Sequence, residues 1–319
     1  MGCISDPCKS MVGAELRAAR KRGGALGDRP LPVKMVVAAL LCAAAGCGGG
    51  VKSDRVEWPV MGTVAAVQTR GEHLGRDKTS AAAVATALSV TKDVERLLNA
   101  HNPDSELSRL ASRTEREALD LCDRDAGADP ALKTRPCYEA AFKLMKASGG
   151  AFNPRWRGPG TLDLGAIAKG FAADVVCDSC RGGVEVDMLV DLGGNLKSLR
   201  GAWRTGVKSP SGDGFAAKVE LREGEALATS ATYYRGSHIY DGRTGRAVAN
   251  GVASVTVLCG SAMWADGLST TLFVLGPDDG REFLDKHLVE LVGDEKVAVL
   301  WILSDGRRVK VDDGDRFAE

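Results

Sequence analysis

Aromatic residues make up only 5% of the 319-residue chain, histidines number four, and 42 basic side chains are balanced by 42 acidic ones. The missing net charge argues against nucleic acid as a partner, because its binders carry a basic excess or stripe. No apolar run reaches the roughly 20 residues that a membrane-spanning helix needs, and no internal repeat is present. What remains is an ordinary globular composition, 44% hydrophobic. It is long enough for one large domain or two small ones, and its partner is expected to be a small molecule or another protein.

The N-terminus carries a targeting pattern. The basic "RAARKR" precedes the apolar run "MVVAALLCAAAGC", which ends at Cys47 and is followed by three glycines. A short apolar segment between a basic cluster and small residues suits an export signal. The "AAAGC" ending resembles a bacterial lipoprotein signal, in which Cys47 would be lipidated and become the mature N-terminus; Ala44 stands where such signals usually carry Leu. Cleavage without lipidation, and a cytoplasmic protein with an apolar N-terminal segment, are the other readings of this stretch. The expected organisation is a signal segment at 1–47, a linker at 48–57 and a domain at 58–319. An exported chain permits disulfides. Cys122 with Cys137 and Cys177 with Cys180 are candidate pairs, beside the alternative of buried thiols; zinc is disfavoured, as there is no second CxxC and no nearby His.

Beyond the linker, "WPVMGTVAAVQTR" reads as a first strand. "TSAAAVATALSVTKDVERLLNA" has apolar positions at helical spacing, with Thr79 or Ser80 as cap. A short helix follows "HNPDSE", and another near 136–148 ends at "SGG". The texture then changes to short strands punctuated by glycine, interrupted by the helix "SAMWADGLSTTLFVLG". Helices and mostly antiparallel strands are mixed rather than alternating, which predicts one α+β domain. The acidic "DDGDRFAE" reads as a frayed tail.

Three stretches carry chemistry. In "WADGLSTTL", Asp266 and Thr270 are four apart, which stacks a carboxylate and a hydroxyl on one helix face, with Ser269 close to it. Hard oxygen ligands of this kind suit Mg²⁺, whose shell is completed by water and substrate phosphate. In "LDLGAIAKGFAAD", an apolar lead-in breaks at Gly165; Ala166 is expected to begin a helix, with Lys169 one turn in. A helix start with a lysine is an anion seat. In "HIYDGRTG", His238 is poised to accept a hydroxyl proton near neutral pH. Taken singly, each has a structural alternative: a solvated carboxylate, a surface lysine, a histidine beside a turn.

Together and in order, "VMGTV", "HNPDSELSRL", "GGAFNP", "LDLGAIAKGFAAD", "LVDLGGNLKSLRG", "ATSATYYR", "HIYDGRTG" and "ADGLSTTLFVLG" resemble the ApbE family, the FAD:protein FMN transferases, over about residues 58–310. The resemblance implies a T-fold-related α+β domain and a Mg²⁺-dependent transfer of the FMN phosphoryl moiety from FAD to a Ser or Thr hydroxyl of a target flavoprotein, releasing AMP. It implies FAD contacts by Met61, Ala151, Phe152, Asn153, Asp163 and Lys169. The metal ligands it implies are the Ala166 carbonyl, Asp266 and Thr270, with Ser269 adjacent, and His238 is implied as the base. It further implies an acceptor with a D-x-x-[ST]-G-A-[ST] type of site and an exported, membrane-anchored protein facing the periplasm.

The sequence also departs from the family pattern. The connection between "GGAFNP" and "LDLG" is several tens of residues shorter than usual, so that part of the flavin pocket wall is expected to be missing or supplied differently. Asn153 replaces the usual Asp, and Gly242 follows Asp241 where the family has "DP". Ala231 stands at the family's "TSG" glycine, where a positive φ would be strained. Two alternatives therefore stand beside the transferase: a Mg²⁺-dependent FAD pyrophosphatase giving FMN and AMP, and a non-catalytic flavin-binding lipoprotein.

Overall fold

The computed structural model describes residues 52–71, 78–122, 132–212, 214–232, 239–312 and 314–318. The targeting segment with Cys47, and His238, lie outside the described residues. In chain order the elements are β1 (Lys52–Val60), β2 (Thr63–Gly71), α1 (Lys78–Leu98), α2 (Glu106–Leu110), α3 (Glu115–Leu121), α4 (Arg135–Ala147), α5 (Ala168–Cys180) and β3 (Asp187–Leu192). They continue with β4 (Asn195–Arg200), β5 (Trp203–Lys208), β6 (Phe215–Leu221), β7 (Ala226–Ala231), β8 (Tyr240–Asp241), β9 (Arg246–Ala247), β10 (Val252–Cys259), α6 (Ala262–Val292), β11 (Ala298–Leu303) and β12 (Arg308–Val311).

Side-chain alternation decides what each strand face meets. In β10, Val255, Val257 and Cys259 point into the core beneath the helices, while Leu258 enters a second core on the opposite face. All of β10 is therefore buried, as its near-continuous apolar run requires. β11 divides the same way, with Val299 and Trp301 under the helices and Leu300 and Ile302 opposite. The large sheet runs β1-β2-β3-β4-β7-β10-β11-β12, every neighbouring pair antiparallel. Helices α1, α5 and α6 cover one face, and the β5–β6 hairpin covers the other through Trp203, Val207, Val219 and Leu221. This is the α+β class expected from the sequence.

Helix α6 kinks at Gly276 (φ 77°), followed by Pro277. Asn250 Nδ2 collects the carbonyls freed there, donating to Phe273 O at 2.8 Å and Val274 O at 3.1 Å. Three expectations are corrected. "WPVMGTVAAVQTR" is not one strand but the meeting of β1 and β2, and β1 begins at Lys52, inside the stretch read as a linker. The C-terminal segment is docked rather than frayed: Phe317 is buried, Ala318 pairs with Lys218, and Arg316 forks onto both oxygens of Glu225 at 2.8 and 2.7 Å. Cys122, Cys137, Cys177, Cys180 and Cys259 are buried thiols, and neither candidate disulfide is formed.

Candidate active site

Two hairpin tips form one end of a cleft of about 1300 Å³. Met61–Gly62 joins β1 to β2 and Gly193–Gly194 joins β3 to β4, each as a two-residue turn. All four residues have positive φ (52°, 67°, 64° and 92°), as the turn type that matches strand twist demands. Glycine adopts this at no steric cost, but Met61 does not. Its N–H donates to Glu95 Oε1 on α1 at 2.7 Å, which holds the turn against its own strain. A Cβ at Gly193 would fall 2.4 Å from Thr63 Oγ1, so the two tips interlock only because Gly193 is bare.

The next wall comes from "LDLGAIAKG". Leu162 and Leu164 are buried but belong to no strand, and α5 starts at Ala168, two residues later than expected. Ala166 lies in the preceding turn, and Lys169 is the second residue of the helix. Asp163 shapes that turn: its Oδ1 accepts the Gly165 N–H at 2.9 Å. One residue past Lys169, α5 crosses α6 so closely that a Cβ at Gly170 would sit 2.0 Å from Ala262 O. The bare Gly170 thus brings its N–H, one of the unpaired donors of a helix's first turn, to 3.0 Å from Asp266 Oδ2. Lys169 Nζ lies 3.3 Å from the same oxygen and donates to Gly165 O at 2.9 Å. The helix start does hold an anion, and that anion is the carboxylate of Asp266. Burial pushes the Asp266 pKa up, against the opposing pull of the Lys169 charge and the Gly170 N–H.

One turn along α6, Thr270 Oγ1 lies 3.0 Å from Ser230 Oγ on β7. Strand periodicity sends Ser230 to the helix face with Ala226 and Ala228. Ser269 faces away from the cleft: it is fully buried, donates to Asp266 O at 2.9 Å and sits 2.9 Å from Ser230 Oγ. Ala231 is extended in β7 and buried, so the strain expected from its replacing glycine does not arise.

The cleft is lined by Met61, Ala151, Phe152, Asn153, Asp163, Ala166, Lys169, Asp266 and Thr270, as well as by Ile239 and Tyr240, the two residues that follow His238. Glu95, Gly170 and Ser230 were not anticipated. The glycine of "AKG" and the serine of "TSA" were visible in the motifs, but only the helix crossing and the strand face give them tasks. Among the described residues, no three or more His, Cys, Asp or Glu side chains are grouped so that they could hold a metal ion by themselves. The Asp266 carboxylate and the Thr270 hydroxyl, one turn apart on α6, both line the cleft, as does Ala166; hard oxygens of this kind suit a Mg²⁺ that keeps several waters and do not suit zinc.

The short connection after Asn153 is firmly built. Asn153 Oδ1 accepts the Arg155 N–H at 2.8 Å and its Nδ2 donates to Gly242 O at 3.2 Å. Gly242 N–H donates to Ala151 O at 3.0 Å, and a Cβ at Gly242 would fall 2.3 Å from Asn153 Cβ and 2.5 Å from Gly150 O. Arg155 ties the loop to the carbonyls of Ala111 and Arg113 at 2.5 and 2.6 Å. Beyond it, Trp156 stacks on Tyr240 with ring centroids 4.3 Å apart.

Sequence comparison adds to this geometry. Residues 156–292 match the ApbE family model. Over this stretch the chain is similar to the ApbE family. An FAD:protein FMN transferase of Vibrio cholerae is 37% identical over 169 residues, covering 48% of this chain and 46% of that protein. The chain thus spans about half the length of that curated relative. An FAD:protein FMN transferase of Treponema pallidum is 27% identical over 82% of this chain and 91% of its own length. Among solved structures, the flavin transferase ApbE of Vibrio cholerae superposes with a TM-score of 0.63 at 22% identity, covering 84% of this chain and all of that one. The apbe protein of Thermotoga maritima gives 0.66 at 20% identity, with the same coverage. At those identities the structural match speaks for the ApbE fold alone.

Proposed function

We propose that the protein is a Mg²⁺-dependent FAD:protein FMN transferase, moving the FMN phosphoryl moiety of FAD to a Ser or Thr hydroxyl of a target flavoprotein and releasing AMP. The observation that carries this reading is the convergence of Asp266, Lys169 and Thr270 in the cleft that also contains Met61 and the Ala151–Asn153 turn. Phosphoryl transfer asks the protein chiefly to position an in-line nucleophile and to neutralise charge. Asp266, Thr270 and the Ala166 carbonyl would hold Mg²⁺, which supplies Lewis-acid neutralisation of the pyrophosphate when bound. Lys169 changes partner from Asp266 to a phosphate oxygen with little movement, because its Gly165 anchor is part of the same turn. Ser230 fixes the Thr270 hydroxyl, and Ser269 supports both from behind.

Asp163 and Met61 are proposed as FAD contacts, with Ala151, Phe152 and Asn153 lining the FAD site. His238, beside the cleft-lining Ile239, is proposed as the base that takes the acceptor hydroxyl proton, leaving the oxygen to attack the FMN phosphorus as AMP departs. The acceptor is proposed to be a flavoprotein carrying the D-x-x-[ST]-G-A-[ST] type of site. Incubating the chain with FAD, Mg²⁺ and such an acceptor should add the mass of one FMN to the acceptor and release AMP. EDTA should abolish both. AMP with free FMN and an unchanged acceptor would replace this reading with the pyrophosphatase, and neither product would leave a flavin-binding protein.

Export and lipid anchoring through Cys47, facing the periplasm, is part of the same proposal, supported by the basic cluster and the apolar run before it. Cys47→Ser should move the protein out of the membrane fraction; its staying there would refute lipid anchoring at that residue.

A further inference from the structure

The short link after Asn153 builds a wall of its own. Trp156 carries Tyr240 on one face, ring centroids 4.3 Å apart and planes 12° from parallel. The Arg157 guanidinium lies 4.7 Å from the Trp156 ring centroid. Trp156 is thus packed by both side chains at once, the Tyr240 ring and the Arg157 guanidinium. The indole is fixed edge-on as well, donating from Nε1 to Asp163 Oδ2 at 3.3 Å, while Arg157 Nη2 lies 3.5 Å from that same oxygen. Tyr240 is 37% exposed and lines the cleft. One face of its ring is spent on Trp156, and the ring keeps its exposure where it lines the cleft.

A part-exposed, rigidly backed aromatic ring in a cleft lined by both apolar and polar groups is a seat for another planar ring. The geometry points to Tyr240 as the residue that stacks on a ring of FAD, with Trp156 and Arg157 as positioning residues that hold its plane and tie it to Asp163. This rests on the proposed FAD reaction and adds the residue that grips a planar end of the substrate. FAD has two such ends, isoalloxazine and adenine, and both offer the same π-face.

The test is titration of the full-length chain with FAD, FMN and ADP in the presence of Mg²⁺, comparing the native protein with Tyr240→Leu and Tyr240→Phe. Loss of one ring stack is expected to weaken FAD about tenfold in Tyr240→Leu, within the range seen when aromatic partners of planar bases are removed. Tyr240→Phe should restore it. Parallel weakening of FMN with ADP unchanged would assign isoalloxazine to the seat, and the converse would assign adenine. Tyr240→Leu binding all three ligands within twofold of native would overturn this inference alone, whereas failure of the native chain to bind FAD would overturn it together with the functional reading. If Tyr240→Leu does not fold, Trp156→Phe serves in its place: FAD should quench less tryptophan fluorescence in it than in the native chain, and equal quenching would refute the stack's role.

Discussion

Helices α5 and α6 exchange carboxylates. Asp174 on α5 caps the start of α6, accepting from Ser261 Oγ at 2.7 Å and from the N–H groups of Ala262 and Met263 at 2.9 Å each, with Lys197 Nζ 3.4 Å away. Asp266 on α6 answers at the start of α5, where the Gly170 N–H donates at 3.0 Å, the Lys169 N–H acts more weakly and the Lys169 ammonium lies at 3.3 Å. The first carboxylate is saturated by fixed donors and serves the fold. The second is buried and lines the cleft, held by a lysine and the first turn of α5 rather than by a full set of fixed donors. Two acids in mirrored positions on one helix pair thus differ in what surrounds them, and the one at the cleft is the one proposed above to hold Mg²⁺.

That contrast is breakable at both ends. The largest effect is expected from Asp174→Ala, which orphans the donors of α6 and leaves Lys197, 7% exposed, without its counter-charge. Breaking a fully buried pair from one side costs about 3–5 kcal/mol; with the Asp174 side chain itself 22% exposed the loss is expected at about 3 kcal/mol, to be read as a lowered urea midpoint. Next is Gly170→Ala, which must force α5 from α6 at the expense of about 1–3 kcal/mol. It should also lower AMP release, because the Gly170 N–H leaves Asp266; unchanged AMP release would separate the helix crossing from the site.

Asp266→Asn should sharpen the comparison. It removes a desolvated charge, so the metal-free thermal midpoint should change little, while any Mg²⁺-induced rise in that midpoint and all AMP release should disappear. The smallest effect is on pH dependence. Because burial raises the Asp266 pKa in the folded state, the native chain binds more protons than the unfolded chain between the ordinary carboxylate range and that raised value. Metal-free stability should therefore fall as pH rises through this window. Asp266→Asn should flatten that slope, and a slope identical in both proteins would assign it elsewhere.

Much of this site was legible because its chemistry is local. Asp266 and Thr270 share a helix face by spacing alone, and the glycine break before Lys169 marks a turn. What could not be read depends on partners far along the chain. The spacing that put Ser269 near the metal face says nothing of its hydroxyl bonding back to Asp266 O. The start of α5 carries no capping side chain, since its N-cap is Ile167, so the helix was placed two residues early. Met61 hid the β1–β2 turn because methionine is not a turn residue; Glu95, 34 positions away, stabilises it. The acidic C-terminus looked frayed because its anchor, Glu225, lies 91 residues upstream of Arg316.

Gly242 and the short link fit each other and little else. A proline after this aspartate would have no N–H to give Ala151 O, and any Cβ here would collide with Asn153 and Gly150 O. The loop's present course therefore depends on the glycine opposite it. A chimera that carries proline at this position while leaving the link untouched should not assemble, and transplanting this link into a relative requires carrying Gly242 with it.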